Sequence, residues 1–125
     1  MKTIAIMNYK GGVGKTATTI NFAAELAAAG KRVVVMDADG QCNLSDIFGA
    51  DTMQGGTTYE ILTGEYSGDW VELAQPTPVK GVEIVPASAE LPRADIAALT
   101  GERVSHNGLS DFCLAVAEDG EVDYV

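Results

Sequence analysis

A run of glycines set between an apolar stretch and a helical one constrains this chain more than any other feature. Thr3-Ile4-Ala5-Ile6-Met7 is the kind of apolar run found in strands buried on both faces of a parallel sheet. Gly11, Gly12 and Gly14 follow it. From Thr16 to Ala29 the apolar residues Ile20, Ala23, Ala24, Leu26 and Ala27 recur at helical spacing, and Gly30 supplies a stop. Val33-Val34-Val35-Met36 is a second apolar run, ending in Asp37-Ala38-Asp39. Strand, glycine loop, helix and strand within about forty residues make a βαβ unit, which builds a parallel sheet with a right-handed crossover. The expected fold class is α/β, a mostly parallel sheet flanked by helices.

Beyond Asp39 the pattern weakens. Leu44 to Phe48 reads as a short helix with Ser45 or Asn43 near its start, and Thr57 to Leu62 as another, with Gly64 behind it. Ser67 to Lys80 holds two prolines and reads as an irregular connection in which Trp70, Val71 and Leu73 can pack. Val82-Glu83-Ile84-Val85-Pro86 is a third strand closed by a proline. A polar stretch from Thr100 to Asn107 leads to a helix at Leu109 to Glu118. Asp119-Gly120 then turns the chain into Val122-Asp123-Tyr124-Val125, which reads as a strand just begun.

The 125 residues bound the chain to a single domain, residues 1–125, expected to be a portion of a longer one. A hydrophobic content of 46% against 21% charged residues fits a globular protein with a real core. No run has the length of a membrane span and no signal-peptide pattern opens the chain, so no membrane partner is expected and the cytoplasm is the expected location. The net charge of −10 argues against DNA or an anionic surface as a partner of these residues alone. Cys42 and Cys113 lack CxxC spacing and read as reduced structural thiols. His106 has no ligand-spaced neighbours and reads as a surface residue.

The stretch Asn8-Tyr-Lys-Gly-Gly-Val-Gly-Lys-Thr-Ala-Thr-Thr19 carries the chemistry. A loop that cradles phosphates must turn several backbone N–H groups toward the anion, which calls for positive φ and no Cβ in the way. Gly11, Gly12 and Gly14, with Val13 between them, meet that need. The helix that follows points its free N–H groups and dipole at the same place. Lys15 can reach β- and γ-phosphate oxygens, and the Thr16 hydroxyl is placed to ligate Mg²⁺. The usual phosphate-loop pattern wants a glycine where Tyr9 stands, and it does not explain Lys10.

Lys10 onward resembles the deviant Walker A box, K-G-G-x-x-K-[ST], of the ParA/MinD/Soj family of partitioning and positioning ATPases. Asp37-Ala38-Asp39-Gly40-Gln41-Cys42-Asn43-Leu44-Ser45 is similar to that family's switch I pattern, D-x-D-P-Q-G-N-x-[ST]. The resemblance implies a P-loop ATPase fold of the deviant Walker A type that binds ATP or ADP with Mg²⁺. It implies that Lys10 crosses a nucleotide-sandwich homodimer to the partner's ATP and supplies a cation where negative charge develops. Lys10, Lys15 and Asp39 are then the catalytic candidates. Nucleotide binding falls to Lys10, Gly11, Gly12, Val13, Gly14, Lys15, Thr16 and Ala17, and metal binding to Thr16 and Asp39. Asp37 is expected to be structural. Gly40 and Cys42 depart from the family's proline and glycine. Ala17 stands where the family often has Ser or Thr, at a cost of about 1 kcal/mol for the lost hydrogen bond.

Thr57 to Leu62 resembles the helix after switch I, and Val82 to Ala87 the strand that follows it, so the resemblance runs the length of the chain. It implies plasmid or chromosome partitioning through ATP-dependent dimerisation, with a ParB-like partner and nucleoid association. Non-specific DNA binding would belong to a C-terminal half beyond these residues, as would the Walker B aspartate, and little turnover is expected of this chain alone. An open sheet edge beside the phosphate-loop strand is expected to favour oligomers. A non-catalytic nucleotide-binding or regulatory module is the alternative, and the MinD-like positioning and iron-sulfur Fe-protein branches also stay open.

Overall fold

A computed structural model describes residues 1–53, 56–66, 68–94 and 107–125. Helix α1 spans Lys15–Ala28 and strand β1 Val33–Met36. Helices α2 (Asn43–Phe48), α3 (Thr58–Thr63) and α4 (Trp70–Leu73) follow, then strands β2 (Gln75–Pro76) and β3 (Val82–Val85). A helical turn at 91–94 and helix α5 (Gly108–Asp119) complete the described elements. The polar stretch ahead of α5, His106 included, falls almost wholly outside the described residues.

The sheet has the order β1-β3-β2. β1 and β3 pair in parallel, Val33 opposite Val82 and Met36 opposite Val85. β2 runs antiparallel to β3, Gln75 opposite Ile84. On the far side of β1 the chain end forms isolated parallel bridges, Tyr124 pairing with both Val33 and Lys2. Lys2 N–H bonds to Asp123 O and Ile4 N–H to Val125 O, each at 2.8 Å.

Period-two alternation in β1 and β3 splits the core into two faces. Val33, Val35, Val82 and Ile84 turn to one side, where they meet Ala23 of α1 with Leu44 and Phe48 of α2. Val34 and Val85 turn to the other, against Ile61, Trp70, Leu73, Phe112, Val116 and Val122. Helices thus cover both faces of the sheet, a three-layer α/β arrangement. Each fully buried aliphatic side chain in these layers contributes about 1.5–3 kcal/mol.

Two elements end as their sequences dictate. At the C-terminus of α1, Gly30 takes φ +78, Gly30 N–H bonds to Ala27 O and Lys31 N–H to Leu26 O, the paired bonds of a Schellman stop. α3 opens with a capping box, in which the Thr57 hydroxyl accepts from Tyr59 N–H while the Glu60 carboxylate accepts from Thr57 N–H.

Two expectations are corrected. Thr3 to Met7 is not a regular strand: its only partner among the described residues is the short segment at 123–125, and Ile4 and Met7 are 43% and 84% exposed. Among the described residues the segment has a partner on one side alone, and the ladder there is too short to make a regular strand. The connection after Ser67 is not irregular throughout. Trp70 and Leu73 are buried in α4, which Asp69 caps by accepting from Val71 N–H, and β2 adds an antiparallel edge strand. Val71 remains exposed.

Candidate nucleotide site

The glycine loop follows the first segment and Asp39 follows β1, yet both lie at one end of the sheet. Lys2 and Val33 both stand level with Tyr124, and all three segments run parallel. The chain therefore leaves the first segment into the loop, and β1 into Asp37-Ala38-Asp39, on the same side. In open α/β sheets this carboxyl end of the strands is where ligands bind.

In the loop, Gly12 and Gly14 take φ +70 and +83, conformations that L side chains rarely adopt. A Cβ built at Gly11, Gly12 or Gly14 would meet nothing within 4 Å, so each of these positions faces open space. Gly14 caps α1 without a side-chain hydrogen bond, and the first helical bond is Thr18 N–H to Gly14 O at 2.9 Å. The N–H groups of Lys15, Thr16 and Ala17 therefore have no carbonyl within the helix. Helices commonly place Asp or Glu in this turn to meet the dipole. α1 has none. No side chain of its own first turn offsets its positive end.

Lys15 is the first residue of α1, and its ammonium donates to Asn8 O at 3.2 Å. Lys10 N–H donates to Asn8 Oδ1 at 2.9 Å. The Lys10 ammonium has no hydrogen bond or ion pair among the described residues. Lys15 and Thr16 are half-buried, while Lys10, Gly11, Gly12, Val13, Gly14 and Ala17 are exposed. Among the described residues no group of three or more His, Cys, Asp or Glu side chains is placed to hold a metal ion.

Asp39 turns toward its own loop. Its Oδ1 accepts from Gln41 N–H at 3.0 Å and its carbonyl from Cys42 N–H at 2.8 Å. No hydrogen bond joins it to Lys10, Lys15 or Thr16 among the described residues. Asp37 is 4% exposed and holds the turn from within: Oδ1 accepts from Asp39 N–H, and Oδ2 from both Ser45 N–H and Ser45 Oγ. Ser45 Oγ in turn accepts from Ala87 N–H at 2.9 Å, just past β3. Asp37 is thus structural, as expected. Ser45 is not a cap for α2. The residue ahead of that helix is Cys42, which has φ 56 and no capping hydrogen bond.

Two residues that break the resemblance are explained by packing. The Gly40 Cα faces Pro92, so that a Cβ there would lie 2.9 Å from Pro92 Cδ. Cys42 is the one non-glycine residue with positive φ among the described residues, and it is buried against Ala87 and Leu91. Burial pushes its thiol above the ordinary value, helped by the negative charges of Asp37, Asp46 and Asp39. Both cysteines are free.

Comparison with known proteins bears on the family and the fold. A family model described as an AAA domain matches residues 1–125. The chromosome partitioning protein ParA of Caulobacter vibrioides (strain NA1000 / CB15N) is 40% identical over 126 residues, an alignment covering 100% of this chain and 46% of that protein. The sporulation initiation inhibitor protein Soj of Bacillus subtilis (strain 168) is 41% identical over 98 residues, covering 76% of this chain and 37% of that protein. The chain spans about half the length, or less, of these curated relatives. Among solved structures, a cobyrinic acid a,c-diamide synthase from Mycobacterium smegmatis with bound ADP and magnesium superposes with a TM-score of 0.80. It is 28% identical, and the match covers 99% of this chain and 49% of that one.

Proposed function

The chain belongs to the AAA domain family and resembles ParA along its whole length and Soj along 76% of it, and from that premise we propose that it is the nucleotide-binding portion of a ParA-type ATPase. It binds ATP or ADP with Mg²⁺ and acts in chromosome or plasmid partitioning through ATP-dependent dimerisation. One observation carries this reading: an open, glycine-rich loop delivers the chain into a helix whose first turn has N–H groups without a partner among the described residues and no acidic residue. Such a terminus binds phosphate through backbone amides and the helix dipole together.

The residues fit the nucleotide. Gly11, Gly12, Val13 and Gly14 wrap the phosphates, Lys15 neutralises the β- and γ-oxygens, and the Thr16 and Ala17 amides complete the cradle. Mg²⁺ is a hard cation that favours oxygen donors and keeps several waters. The Thr16 hydroxyl and the Asp39 carboxylate are donors of that kind, and the nucleotide's phosphates supply the rest. When bound, the ion neutralises charge on the phosphates. The Lys10 ammonium, exposed and without a partner among the described residues, is left to reach the nucleotide of a second subunit. A ParB-like partner, non-specific DNA and a cytoplasmic, nucleoid-associated location belong to the same proposal. Among the described residues no helix is long and apolar enough to cross a membrane.

The test is binding of a fluorescent ATP analogue with Mg²⁺ to the wild-type chain, Lys15→Ala and Lys10→Ala. Binding by wild type, lost in Lys15→Ala and kept in Lys10→Ala, is expected. Equal binding by wild type and Lys15→Ala would overturn the assignment of the loop.

A further inference from the structure

Asn8 stands ahead of the residues to which phosphate chemistry is assigned, yet it touches both lysines of the loop. Its side-chain Oδ1 accepts from Lys10 N–H at 2.9 Å, and its main-chain carbonyl accepts from the Lys15 ammonium at 3.2 Å. The first bond closes a side-chain turn over Tyr9, which fixes the backbone at Asn8 and with it the direction of the carbonyl. The second gives the Lys15 side chain, otherwise free to sample many rotamers, one position beside the loop. One residue thereby holds the backbone that carries Lys10 and the ammonium of Lys15.

We propose that Asn8 is a positioning residue for nucleotide binding: it pins the loop backbone at Lys10 and seats the Lys15 ammonium before the phosphates arrive. The inference rests on the reading of the loop as a phosphate site. Its physical basis is preorganisation. A flexible ammonium must be immobilised on binding, and a loop that has already fixed its backbone and its lysine loses less conformational freedom at that step. Tyr9 fits the same account. It is fully exposed, so the side chain makes no packing demand on the turn, and Asn8 alone closes it.

Asn8 is itself exposed and its side-chain bond reaches only two residues along the chain. Replacing it therefore changes the loop without opening the core. A serine can still accept from the amide two residues on, whereas an alanine cannot.

The experiment measures the affinity of the fluorescent ATP analogue with Mg²⁺ for wild type, Asn8→Ala, Asn8→Ser and Lys15→Ala, beside the thermal midpoint of each nucleotide-free chain. Asn8→Ala is expected to weaken binding about three- to tenfold, the effect of one net hydrogen bond, with the midpoint unmoved. Asn8→Ser is expected to recover most of that loss. A merely structural residue would move the midpoint together with the affinity. Wild-type binding that Asn8→Ala leaves within about twofold, or a loss that serine does not recover, overturns the role of Asn8 while the phosphate site stands. No binding by wild type, or binding indifferent to Lys15→Ala, overturns the site and the role together.

Discussion

Asp37 Oδ2 accepts two hydrogen bonds from Ser45, one from its amide at 3.0 Å and one from its hydroxyl at 2.7 Å. Because the same hydroxyl accepts from Ala87 N–H, the end of β1, the start of α2 and the end of β3 are joined through one buried oxygen. Ser45 is fully buried, so no water can replace it. Ser45→Ala leaves the Ala87 amide without its partner and removes one of the bonds to Asp37. The expected loss is about 1–3 kcal/mol, read as a shift of the urea midpoint with unchanged slope. A loss under about 0.5 kcal/mol, the scatter of ordinary surface substitutions, would show that the oxygen is dispensable.

The contact between Gly40 and Pro92 makes a second prediction. A Cβ at residue 40 would lie 2.9 Å from Pro92 Cδ and 3.0 Å from Cγ, inside normal contact distance, and a proline ring cannot rotate out of the way. Gly40→Ala is expected to destabilise the chain by about 1–3 kcal/mol, as overpacking does. Pro92→Ala should relieve most of that loss. The check is a double-mutant cycle in urea: a coupling near zero would mean that the two residues do not meet in solution. The proline that the switch I pattern places at this position would collide in the same way.

Cys42 ties stability to pH. Burial raises its thiol above the ordinary 9.0, with the charges of Asp37, Asp46 and Asp39 adding to the effect. The neutral thiol is thus favoured by folding. Its contribution is complete below the unfolded value and is lost as pH rises through the folded one, because the unfolded chain releases the proton first. Wild type should lose stability above pH 9.0 more steeply than Cys42→Ala. Parallel alkaline limbs in the two unfolding curves would contradict this.

Much of this was legible before the structure. The run Val33 to Met36 is apolar on both faces and Val82 to Val85 is apolar but for Glu83, which suits a covered sheet, and both are strands. Helix α1 shows its periodicity and its glycine stop, so its bounds fell within a residue or so of expectation. β2 was not legible, since two residues have no period and the Pro76 that marks a break is tolerated on an edge strand. Nor could spacing show that Ser45 faces inward to Asp37 or that Gly40 abuts Pro92. Those contacts join segments that only the tertiary fold brings together. Asn8 was visible as part of the loop, but the two bonds it makes depend on where the chain turns back.

The open edge beside the first segment yields the last prediction. Lys2 and Ile4 turn their amides inward to Asp123 and Val125. Backbone groups on the alternate residues, Thr3 and Ala5, face the other way, where no strand lies among the described residues. Ile4 and Met7 add exposed apolar surface to this edge, and pairing between copies would cover it. The net charge of −10 opposes association, so added salt should strengthen it by screening the repulsion. Sedimentation velocity is expected to show self-association that grows with protein concentration and with salt. Met7→Lys places a charge on the edge at a residue 84% exposed, and should return the chain to monomer without loss of stability. A wild-type chain that stays monomeric at every concentration and salt would mean that the edge is protected by its short, broken strand, as natural edges often are.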